Sequence, residues 1–176
     1  RSPADHPSLP VTAEELGQAA ARALSAGAEA VHIHPRDRNG EESLAAPDIE
    51  AAVAAVRAAA PGTPVGVSTG LWIARGDVER RRRAVAGWTQ LPVDSRPDCA
   101  SVNVGEPGFV ELADLLEDGD VAVEAGVWSP EDADRLGQRH VHRVLVEIVT
   151  GPAASAVRRA TEVLRHLDRA GSTAPR

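Results

Sequence analysis

The residues most suited to chemistry are His32 and His34 in the run Val31-His32-Ile33-His34-Pro35-Arg36-Asp37. Side chains on a strand alternate between faces, so the two imidazoles point one way while Val31 and Ile33 point the other. Two imidazoles aimed at one point suit a divalent transition metal, usually zinc, which favours nitrogen and sulfur ligands. Pro35 ends the strand, which places the pair at a carboxyl end, where parallel α/β enzymes keep their chemistry. The alternative is two structural histidines hydrogen-bonded near a strand end. The following Arg36 and Asp37 favour the metal, because a carboxylate commonly orients a ligating imidazole through its second nitrogen; a loop ion pair is the competing role.

Other strand ends carry polar groups too. Ser68-Thr69-Gly70 combines two hydroxyls with a flexible residue, a set able to present donors to a carboxylate. Asn103, with Glu106 beyond it, Glu124 and Glu147 stand at the next three ends. Each alone is ordinary, but convergence at five successive ends is what a site requires. A second pair, His140 and His142, precedes its apolar run and is expected at the opposite, amino-terminal rim. Arg80 to Arg83 span a helical circumference and read mainly as a solvated face, with a phosphate site as the alternative. Cys99 reads as a small buried hydrophobe, and Trp72 and Trp128 as walls of a pocket or caps on the core.

The elements that must position these groups alternate along the chain. Thr12 and Glu15 form a capping-box pattern ahead of a helix over about 13 to 26. Strands are expected at 30–34, 64–68, 99–103, 121–125 and 141–148, with apolar runs rather than clean alternation. Helices follow at about 47–60, 77–88, 109–116 and from Pro130, and Val157, Ala160, Leu164 and Leu167 give the inner face of the last. The order implies a parallel sheet covered by helices. A (β/α)8 barrel takes about 250 residues. A helix followed by five strand–helix units therefore reads as one partial TIM-barrel domain over 1–176, lacking its first strand and last two units.

Composition narrows the function. A formal net charge of −7 and pI near 5.4 argue against nucleic acid as a partner. No apolar run is long enough to cross a bilayer, and one cysteine permits no internal disulfide, so a cytoplasmic protein is expected. All 19 basic residues are arginine, which excludes a lysine Schiff base within the chain. The chain begins at Arg1 rather than Met, which reads as something other than a native translation start.

Pro10-Val11-Thr12 with Glu14-Glu15, the Val31 to Asp37 run, Val67-Ser68-Thr69-Gly70, Ala100-Ser101-Val102-Asn103 and Val123-Glu124-Ala125-Gly126, in this order and spacing, resemble the beta-keto acid cleavage enzymes. The resemblance implies a zinc-dependent (β/α)8 barrel, an acyltransferase that turns a 3-keto acid and acetyl-CoA into acetoacetate and a new acyl-CoA, in a homo-oligomer. It implies zinc on His32 and His34, and substrate contacts at Ser68, Thr69, Gly70, Asn103 and Glu124. The family's third ligand, its catalytic aspartate and an arginine belong to a late Gly-Leu-Glu-Asp segment with no counterpart in these residues. The catalytic residues are therefore not assigned, and the 176 residues alone are expected to be inactive. Two other classes compete: an amidohydrolase-type metal hydrolase, whose His-x-His belongs on a first strand, and a degenerate barrel without catalysis.

Overall fold

The computed structural model describes residues 6–176. Thr12 caps α1 (Ala13–Ser25), its hydroxyl accepting from the Glu15 N–H while the Glu15 carboxylate accepts from the Thr12 N–H, as the capping-box spacing predicts. Five strand–helix units follow: β1 (Val31–Ile33) and α2 (Ala46–Ala59), β2 (Val65–Ser68) and α3 (Val78–Ala86), β3 (Cys99–Asn103) and α4 (Phe109–Asp118), β4 (Ala122–Val127) and α5 (Pro130–Leu136), β5 (Arg143–Val146) and α6 (Ala156–Arg169). The strands are all parallel and pair in chain order, forming a curled half-barrel with helices on its convex side. No helix among the described residues is long and apolar enough to cross a membrane.

The strands alternate more cleanly than their sequences suggest. Register pairs His32 with Gly66, Ser68 with Ser101, Ser101 with Glu124 and Glu124 with Arg143, so these residues share the concave face. Ile33, Val65, Val67, Ala100, Val102, Val123 and Val144 point the other way and are buried against the helices. The hydrophobic core thus lies between sheet and helices, where each fully buried valine or isoleucine contributes roughly 1.5–3 kcal/mol. Small residues such as Gly66 and Ala122 dilute the polar pattern of the inner face, which is why the runs read as uniformly apolar.

One helix end and one helix face differ from expectation. Gly87 ends α3 early, and Gly87–Gln90 form a 3-10 turn that buries Trp88 with its indole N–H donating to the Leu44 carbonyl at 2.9 Å. In α6 Val163 and Leu167 are buried and Leu164 packs against the core as expected, while Val157, in the first turn, is 80% exposed. The tail returns to β5, where the Pro175 carbonyl accepts from the Val144 N–H.

Candidate metal and substrate site

β1 is three residues long, and the pleat sends His32 and, just past its end, His34 toward the same space. Their ring centroids are 5.4 Å apart, with planes at 65°. A zinc ion about 2.0 Å from one nitrogen of each ring would stand about 3.2 Å from each centroid and, at a tetrahedral angle, set the centroids about 5.2 Å apart. The spacing fits one shared ion.

Each imidazole turns its Nδ1 toward a carboxylate. His34 Nδ1 is 2.8 Å from Glu42 Oε1, and His32 Nδ1 is 3.8 Å from Glu124 Oε2. That leaves Nε2, on the far edge of each ring, as the nitrogen free for a ligand. Burial pushes the His34 imidazole below its ordinary pKa, against the pull of Glu42, and so favours the neutral form that metals bind. His32 and Arg143 hold the Glu124 carboxyl down to about 2 against the cost of burying it, so this buried group stays ionised. Arg143 donates to Glu124 Oε1 through Nε at 2.8 Å and again through a terminal nitrogen.

The carboxylate beside His34 is not the one its immediate sequence offers. Asp37 spends its Oδ1 on the N–H groups of Asn39 and Glu41, closing its own loop. Glu124 also differs from expectation: β4 runs on to Val127, which leaves Glu124 in mid-strand, deep on the concave face rather than at the rim. Glu42 and Arg143 are functional candidates that sequence spacing did not single out. A fold-back of the loop and a strand-start arginine leave no periodic signal.

The remaining candidates gather on the rim beside the histidines. Ser68 is buried and its hydroxyl accepts from the Gly70 N–H at 3.3 Å. Thr69 donates its hydroxyl to the Ser101 carbonyl at 2.6 Å, leaving oxygen lone pairs but no proton for a substrate. A Cβ on Gly70 would overlap the Trp72 ring, so glycine there lets Trp72 fold back over the loop. Asn103 donates to Glu106 Oε1 at 2.9 Å, and Glu106 also accepts from the Leu71 N–H. Buried Arg81 pairs with Glu106 and donates to the Pro107 carbonyl, whereas Arg80, Arg82 and Arg83 are exposed. The arginine run is thus mainly solvated, apart from one member that ties α3 to the loop after β3. Trp128 donates to Glu147 at 2.8 Å across the ends of β4 and β5. His140 and His142 precede β5, with the His142 N–H donating to Val123, at the opposite rim. A cleft of about 720 Å³ lies between α1 and β1, reaching His32, His34 and Trp72. Among the described residues no three His, Cys, Asp or Glu side chains are arranged around one metal position.

A parallel α/β half-barrel with polar groups converging on the carboxyl ends of its strands defines an enzyme-type scaffold. The model of the beta-keto acid cleavage enzyme family matches residues 1–143, and the chain belongs to that family. It is similar to two enzymes named 3-keto-5-aminohexanoate cleavage enzyme. That of Fusobacterium nucleatum is 29% identical over 125 residues, covering 69% of this chain and 44% of the relative. That of Acetoanaerobium sticklandii is 30% identical over 104 residues, covering 59% and 35%. Among solved structures, the apo structure of ObcA superposes with a TM-score of 0.62 at 19% identity, over 94% of this chain and 47% of ObcA. The ternary complex of ObcA with a C4-CoA adduct and oxalate also gives 0.62 at 19% identity, over 93% and 49%. The chain spans less than half the length of these relatives.

Proposed function

We propose that this chain is part of a zinc-dependent (β/α)8 barrel enzyme that cleaves a 3-keto acid with acetyl-CoA, giving acetoacetate and a new acyl-CoA. The observation that carries the reading is the pair of imidazoles, 5.4 Å apart, each with its Nδ1 turned to a carboxylate. That arrangement is the one in which an outer carboxylate orients a metal-bound histidine. Membership of the cleavage-enzyme family supports the reaction class, and the ObcA complexes with a C4-CoA adduct and with oxaloacetate support CoA-linked and keto-acid substrates.

His32 and His34 would hold the ion through Nε2, with a third ligand supplied from outside these residues. When bound, zinc supplies Lewis-acid polarisation of the substrate keto group. The hydroxyl of Ser68, which accepts from the Gly70 N–H and keeps its own proton to donate, lies on the neighbouring strand end, where it can orient the substrate carboxylate. Asn103, held by Glu106, fixes the next edge of the pocket. Ionised Glu124 lies beside His32, its Oε2 3.8 Å from Nδ1, where it can orient the ring.

The test is acetoacetate release from a panel of 3-keto acids with acetyl-CoA, with and without a chelator, using the full-length protein. Turnover that a chelator abolishes and zinc restores is expected. Chelator-resistant turnover would overturn the mechanism.

A further inference from the structure

The loop after β1 does more than connect it to α2. Arg36 and Glu42 form an antiparallel bridge, and the N–H groups of Asp37 and Ser43 donate to the carbonyls of Glu41 and Pro35 at 2.8 and 2.9 Å. The loop is therefore a small hairpin that carries Glu42 back to the histidines. There both carboxylate oxygens are engaged: Oε1 by His34 Nδ1 and Oε2 by the indole N–H of Trp72, each at 2.8 Å. The Trp72 ring also stacks near His34, centroids 6.5 Å apart and planes within 21°. His34 is thus held at one edge and over one face by two different loops.

We propose that Glu42 is a positioning residue that fixes His34 as its Nδ1–H tautomer, with Trp72 anchoring the carboxylate, so that Nε2 is presented as a lone pair to the metal. This assignment rests on the reading of His32 and His34 as ligands. A neutral imidazole carries one N–H; with Nδ1–H donated to a carboxylate, the other nitrogen must be the acceptor. Without Glu42 the ring is free to adopt the Nε2–H form, which cannot ligate through that atom. Glu42 does not itself suit the role of ligand, because both its oxygens already accept hydrogen bonds.

The experiment uses nitrogen-15 NMR of the His34 side chain in the metal-free full chain at pH 8, with zinc affinity measured by chelator competition. Wild type is expected to show the Nδ1–H tautomer. E42A is expected to move His34 toward Nε2–H and to weaken zinc binding about 10- to 100-fold. E42Q, whose amide oxygen still accepts, keeps the tautomer and loses less affinity, a rescue that separates positioning from mere packing. W72F is expected to fall between wild type and E42A. An Nε2–H tautomer in wild type, or E42A with unchanged tautomer and zinc affinity, would overturn the proposal. Wild type that binds no zinc would overturn the metal reading instead, and the tautomer would still decide whether Glu42 orients His34.

Discussion

Glu124 Oε2 lies 3.8 Å from His32 Nδ1, although the two residues are 92 positions apart and stand on strands separated by β2 and β3. The approach crosses the concave face above Gly66. A Cβ at Gly66 would lie 2.9 Å from Cys99 Sγ, 3.4 Å from His32 Nδ1 and 3.5 Å from Glu124 Oε2. Glycine is thus required by space.

From this packing, G66A is expected to destabilise the fold by about 1–3 kcal/mol, the usual cost of overfilling a packed interior. Most of the clash is with one sulfur, so C99A should relieve it. A double-mutant cycle followed by urea denaturation is expected to show G66A/C99A more stable than the sum of the single changes predicts. Strict additivity would argue that Cys99 is not the obstacle.

Cys99 should also be chemically silent. Burial, then the nearby Glu124 charge, push its thiol up to about 12. Alkylation by iodoacetamide at pH 8 is expected only on unfolding. Because the folded value lies above the unfolded one, this group's contribution to stability is complete below pH about 9 and is lost as pH rises toward 12. A falling denaturation midpoint over that window in wild type, reduced in C99A, checks the sign.

Of the arginine run, only Arg81 should matter to folding. R81M leaves Glu106 without its buried partner and is expected to cost about 3–5 kcal/mol. R82A, which removes an exposed pair with Glu79, should leave the urea midpoint unchanged. Comparable losses in both variants would contradict the assigned geometry.

The sequence carried the order of elements well, because caps and turn residues have local causes: Thr12 with Glu15, Asp77 and Ser129 all cap the helices they precede. The paired aim of His32 and His34 was legible for the same reason, since it follows from the pleat of one strand. Their partners were not. Glu42 reaches His34 through a hairpin in a loop that sequence pattern reads only as polar, while Asp37, the nearer acid, closes that hairpin instead. Arg143 meets Glu124 only because β5 pairs with β4 in one register, and a one-residue slip would turn it outward. Glu124 falls at a strand end only if the strand stops at 125, whereas β4 runs on to Val127 and Gly126 packs beside Asn103 within it.

The central claim, that His32 and His34 share one metal ion, is tested most directly by calorimetric titration of zinc into wild type, H32A, H34A and the double variant H140A/H142A. One ion per chain is expected for wild type, with affinity at least about tenfold weaker in H32A and in H34A, since each removes one of the two nitrogens these residues supply. H140A/H142A, altered at the opposite rim, should bind as wild type does. Wild-type affinity in H32A or H34A, or a loss confined to H140A/H142A, would contradict the claim.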